Sequence, residues 1–144
     1  MNKVLEDLKK LKNVYYDTEK VNLGKELEVV LQPLTSEEEA EVHVYSTRYD
    51  QGLAYLYSVK KETLCKSIVS LNGNKIPEFI EDKNAEGAVE KVERCVWIRS
   101  NIVKGWNQIM IDQLWQGYAN LIVRLESKLG ITSTEEVQEK ETEK

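Results

Sequence analysis

Histidine, cysteine and proline are scarce in this 144-residue chain, which holds one histidine (His43), two cysteines (Cys65 and Cys95) and two prolines (Pro33 and Pro77). Acid-base and nucleophilic mechanisms bring a nucleophile, a base and an orienting group together, most often through histidine, and a single histidine gives them little to work with. His43 lies in the stretch Val42-His43-Val44, where a surface or packing role is expected. Two cysteines without a CxxC pair supply neither a disulfide framework nor a zinc site. Both sit in apolar helical patterns and read as buried thiols in a reducing cytoplasm. The motifs GxSxG, HExxH and GxGxxG are absent, and Gly73-Asn74-Lys75 lacks the rest of a phosphate-binding loop. The expectation is a protein that is not an enzyme, with no catalytic residues, no metal and no cofactor.

Long apolar runs are missing too. Met1 to Leu11 mixes leucines with lysine and acid and has no uninterrupted apolar region, which does not support a signal peptide, and no segment approaches membrane-spanning length. With 20 Lys and Arg against 25 Asp and Glu, the net charge of −5 repels a phosphate backbone, so neither nucleic acid nor membrane is an expected partner. A hydrophobic content of 41% over this length suits one core with tails.

Three segments follow from patterning: an amphipathic arm over 1–24, a helical core domain over 25–130 and a disordered acidic tail over 131–144. In the arm, Val4, Leu5, Leu8 and Leu11 share one helical face. Leu27, Val29 and Leu31 alternate with Glu26 and Glu28 as a short edge strand ending at Pro33. Thr35-Ser36-Glu37-Glu38-Glu39 is a helix start, one of the two hydroxyls capping and the glutamates lying at the positive end of the helix dipole. Helical spacing then runs from Ala40 to Leu71, with a break at Asp50-Gln51-Gly52 and a stripe of Val42, Tyr45 and Tyr49 that Leu53, Leu56, Leu64, Ile68 and Leu71 continue.

Asn72-Gly73-Asn74 reads as the stop of that helix, and Lys75 to Ile80 as an extended piece that could pair with the strand at Lys25. Glu86 to Val103 resumes the helical pattern, Gly105 is a hinge, and a final helix carries Met110, Leu114, Tyr118, Leu121, Leu125 and Leu129 towards the core before Gly130 closes it. The fold class expected from these elements is mainly α, four to five helices with a minor two-stranded element.

Asp82, Asn84, Glu86, Gly87 and Glu93 occupy calcium-loop positions, which makes a calcium-binding regulatory module over 82–93 one functional alternative. The entering helix that would confirm it is replaced by Asn72-Gly73-Asn74 and Pro77, so a polar loop is the competing reading. The last helix offers more. Ile109 and Val123 fall opposite its core stripe, giving it more apolar surface than one core face needs. Either other parts of the domain cover that surface, or a partner helix or second copy does. Aromatic residues with polar tips suit core and interface alike. The expected protein-interaction residues are Ile109, Ile111, Trp115 and Val123, with Trp106 and Tyr118 next.

Several stretches carry a resemblance: Leu31-Gln32-Pro33-Leu34-Thr35-Ser36-Glu37-Glu38-Glu39, Gly52-Leu53-Ala54-Tyr55-Leu56, Lys61-Glu62-Thr63-Leu64, Ile68-Val69-Ser70-Leu71-Asn72-Gly73 and Leu114-Trp115-Gln116-Gly117-Tyr118-Ala119-Asn120-Leu121. In order and texture they resemble the tail assembly chaperones and baseplate hub assembly proteins of tailed bacteriophages, over roughly residues 25 to 130. The resemblance implies a non-enzymatic role in the host cytoplasm or virion, holding a tape measure or baseplate hub protein during tail assembly. A structural subunit of the baseplate is the alternative it leaves open.

Overall fold

The computed structural model describes residues 2–14, 16–49 and 52–130. The expected acidic tail, 131–144, lies outside the described residues, as do Asp50 and Gln51 of the expected helix break. Among the described residues, five α-helices are accompanied by six strands in two antiparallel sheets, so the expectation of a mainly α fold with a minor two-stranded element is corrected to a mixed α/β architecture.

The larger sheet has the order β1 (Glu19–Leu23), β2 (Leu27–Leu31), β3 (Ile68–Leu71), β4 (Asn74–Lys75). β2 was expected at an edge and lies inside, because Val21 and Leu23, too few to register as periodic, form a strand of their own opposite Val29 and Leu27. The extended piece expected to pair with β2 is instead split. Asn74–Lys75 pairs with β3, and Phe79 begins a different hairpin.

Ile68 and Leu71 keep helical spacing with what precedes them, yet Ile68-Val69-Ser70-Leu71 is a strand, as its β-branched residues favour. What read as a helix stop is a hairpin turn. Asn72 (φ 50°) and Gly73 (φ 79°) both take the left-handed conformation that a two-residue type I′ connection between β3 and β4 requires. Asn72 also accepts from the Glu28 N–H through Oδ1 at 2.7 Å and donates through Nδ2 to the Glu26 carbonyl at 3.2 Å, which ties the turn to the start of β2.

Of residues 1–24, expected as one arm, α1 (Asn2–Val14) exposes Val4, Leu5 and Leu8, whereas β1 belongs to the sheet. α2 (Ser36–Ser46) starts where expected, and Thr35 is the capping hydroxyl. The Glu38 N–H donates to Thr35 Oγ1 at 3.2 Å while the Thr35 N–H donates to Glu38 Oε1 at 3.0 Å.

α3 spans Gly52–Ser67. β5 (Phe79–Lys83) and β6 (Val89–Glu93) form the separate two-stranded sheet. The helix expected from Glu86 therefore begins only with α4 (Arg94–Asn101); Val89 and Val92 are strand residues, the Ile80↔Val92 pair half-buried and Phe79 and Val89 exposed. A 3₁₀ turn, Val103–Gly105, leads to α5 (Gln108–Lys128), capped by Asn107 Oδ1 accepting from the Met110 N–H at 3.0 Å.

α5 buries Leu114, Tyr118, Leu121 and Leu125 of the expected stripe, with Ile111 and Gly117 beside them, while Leu129 is exposed. Gly117 has a steric reason. A Cβ there would stand 2.3 Å from Val21 Cγ2, so only glycine lets the helix and β1 approach this closely. Farther along, Arg124 reaches Asp17 Oδ2 at 2.9 Å, the Thr18 carbonyl at 2.8 Å and the Glu19 carboxylate, pinning the start of β1 to the end of α5. The Thr18 N–H and Arg124, partly offset by desolvation, hold the Asp17 carboxyl below its ordinary pKa. Among the described residues no helix is long and apolar enough to cross a membrane.

Candidate functional site

The expected interaction residues do not form one surface. Ile111 is 1% exposed and Tyr118 is also buried, its hydroxyl accepting from the Leu34 N–H at 3.3 Å. These two are core residues. Trp106 and Trp115 are half-buried against the core, Trp115 stacking on Tyr118 with ring centroids 5.9 Å apart. Only Ile109, 74% exposed, and Val123 face outward. They are separated by about 21 Å along the helix at 1.5 Å per residue. A face that uses all six is excluded by the burial of Ile111 and Tyr118.

The structure points instead to α3. At about 100° per residue, Leu53, Tyr57 and Leu64 lie within roughly 40° of one another and define one helical face. Leu64 is fully buried, but Leu53 is 69% exposed and Tyr57 is 46% exposed. The face continues unchanged while its cover ends. Leu56 and Tyr49 are exposed at the same end.

α5 begins beside this bare half. Lys60 pairs with Asp112 at 3.6 Å, and at the other end Ser67 donates to the Gln32 carbonyl while Tyr118 accepts from Leu34, so both helices rise side by side towards residues 32–34. Ile109, one turn before Asp112, therefore borders the same end as Leu53, Leu56 and Tyr57. Leu53 and Leu56 share a stripe with the buried Leu64 in the sequence, because spacing alone reports a shared face and not how far the neighbouring elements extend.

Next to them, α3, α4 and the 3₁₀ turn enclose a cleft of about 430 Å³ lined by Tyr45, Tyr49, Lys61, Glu62, Arg99 and Lys104. Glu62 is buried and is held in a two-pronged pair, accepting from Arg99 Nε at 2.8 Å and also from Nη2. The Glu62 hydrogen bonds, opposed by desolvation, raise the Arg99 pKa further. Two guanidinium groups lie over the Tyr45 ring, Arg48 at 3.8 Å from its centroid and Arg99 at 4.4 Å. The cleft is also lined by Cys65, whose thiol burial pushes up to about 12, so it is no nucleophile at neutral pH.

The opposite end has the other charge. A smaller cleft of about 200 Å³ gathers Glu38, Glu41, Glu78 and Glu93 around Lys66 and Arg94. Lys66 donates to Glu41 at 2.6 Å, leaving a neutralised pair rather than a free amine.

His43 is exposed and ties α2 to α3, its Nδ1 standing 2.6 Å from Tyr55 Oη with the two rings stacked. The calcium-loop residues Asp82 to Glu93 form the β5–β6 hairpin. Its turn is organised by Asn84 Oδ1, which accepts from the N–H groups of Glu86 and Ala88 at 2.9 and 3.0 Å. No group of three or more His, Cys, Asp and Glu placed to hold a metal occurs among the described residues. Comparison with protein-family models, with curated proteins and with solved structures gives no match.

Proposed function

We propose that this chain is a non-enzymatic binding protein that holds an apolar helix of a partner against the uncovered end of α3. The observation that carries the reading is the single α3 face that is sealed at Leu64 and bare at Leu53 and Tyr57. Leucine and tyrosine side chains in water are a standing cost that a partner's apolar stripe would remove, and a helix laid along Leu53, Leu56, Tyr57 and Ile109 would extend the core packing already present at Leu64. The resemblance to phage tail morphogenesis factors supplies the partner class: a tape measure or baseplate hub protein whose long amphipathic helices need cover before the tail tube polymerises.

The test is co-expression of the tagged chain with tape measure and hub proteins of a tailed phage, followed by mass spectrometry of what is retained and of purified particles. Retention of one of them, lost in the Leu53→Asp and Tyr57→Asp variants, is the expected result. Retention of neither would remove the chaperone reading, and a fixed copy number in mature particles would replace it with that of a baseplate subunit.

A further inference from the structure

We propose that the cleft beside the α3 overhang receives carboxylates of the bound polypeptide, so that the partner segment is an acidic amphipathic helix. The inference rests on the docking role given to the end of α3 and adds the chemistry of what docks there.

Arg48, Lys61, Arg99 and Lys104 surround or line the cleft, and the carboxylate among its lining residues, Glu62, is taken up by Arg99. Lys61 and Lys104 have no carboxylate within salt-bridge distance among the described residues. This surplus of positive charge sits on a chain of net charge −5, so it is local to this end and opposite in sign to the Glu38, Glu41, Glu78 and Glu93 end. An acidic segment is drawn to the first end and repelled from the second, which fixes both where it lands and which way it lies.

The cleft is also built in advance. The Glu62 side chain is 6% exposed, and its two-pronged grip on Nε and Nη2 sets the plane of the Arg99 guanidinium over Tyr45, with Nη1 on the edge left over. A guanidinium already held in place loses little freedom when it meets an incoming carboxylate.

Two features favour a peptide over a free anion. The cleft, at about 430 Å³, is much larger than a single oxyanion needs, and its lining residue Lys61 stands one turn of α3 beyond the exposed Tyr57. An occupant matching both must carry carboxylates and aliphatic side chains on one backbone. A helix with leucines on one stripe and glutamates flanking it has that composition.

The experiment titrates the full-length ¹⁵N-labelled protein with a helical peptide of about 14 residues bearing leucine on one stripe and glutamate elsewhere. Its lysine counterpart and inorganic phosphate serve as the other probes. The glutamate peptide is expected to shift resonances of Tyr45, Tyr49, Lys61, Arg99 and Lys104 and to bind at least about tenfold more tightly than the lysine peptide. That preference should vanish in the double variant Lys61→Glu/Lys104→Glu, whose exposed positions leave the fold intact by circular dichroism.

Equal binding of the two peptides, shifts that map elsewhere, or an unaffected double variant would overturn the proposal. Phosphate reproducing the same shifts at the same affinity would overturn it in favour of a small-anion site. A Leu53→Asp variant separates the two readings. If peptide binding depends on Leu53 but not on the lysines, the docking face stands and the acidic partner falls. If it depends on the lysines alone, the cleft stands and the apolar docking face falls.

Discussion

Residues 52–60 and 61–67 belong to one continuous helix and share the face of Leu53, Tyr57 and Leu64, yet that face is embedded at Leu64 and bare at Leu53 and Tyr57. Leu64 and Cys65 are fully buried among the sheet, α4 and α5, whereas Leu53, Leu56 and Tyr57 extend past the point where α5 begins and the 3₁₀ turn ends the cover. The difference lies in the neighbours, not in the helix. An amphipathic pattern states which side of a helix avoids water, and whether that side is filled from the same chain or from another depends on the lengths of the elements packed against it.

Four substitutions test that contrast. Leu64→Ala in the embedded half should cost about 3 kcal/mol, through lost transfer energy and the cavity left behind, read as a shift in the urea midpoint at unchanged slope. Glu62→Ala should cost about 2 kcal/mol, below the usual loss for a buried pair because Arg99 is partly exposed and recovers water. The same denaturation measurement checks it, and Arg99 should then lose its fixed place over Tyr45. Thr35→Ala, outside both halves, removes the capping hydroxyl of α2 and should cost about 1 kcal/mol. Leu53→Asp in the bare half should move stability by no more than about 0.5 kcal/mol while abolishing partner retention. A loss of several kcal/mol from Leu53→Asp would show that this position is core and would erase the contrast.

Much of the helical framework was legible in the residues. The Thr35-to-Glu38 box and the Leu114, Tyr118, Leu121, Leu125 stripe are local patterns, set by hydrogen-bond geometry and a period of 3.6, and both are found where the spacing put them. The strands were less legible for a physical reason. Ile68 and Leu71, or Val89 and Val92, stand three apart, a spacing that fits a helix, and in stretches this short it competes with a period of two. Asn72-Gly73 carried the clearer signal of a two-residue hairpin turn, since both residues tolerate positive φ, and giving it that weight would have converted Ile68–Leu71 to a strand.

The docking residues were hidden differently. Tyr57 and Leu53 differ from Leu64 only in what lies opposite them. The cleft was harder still, because it gathers Tyr45, Lys61, Arg99 and Lys104 from separate elements and pairs Glu62 with a residue 37 positions away.

The closure of β1 by α5 also bears on how the chain is made. Val21 packs over Gly117, and Asp17, Thr18 and Glu19 are held by Arg124, the latter contacts joining residues more than 100 positions apart. On a ribosome adding about 5–20 residues each second, the edge strand is finished several seconds before the helix that covers it emerges. During that interval Val21, Val29 and Leu31 have no lid, and native packing on that side of the sheet waits for the last helix. The nascent sheet is thus exposed to aggregation during its own synthesis until α5 arrives.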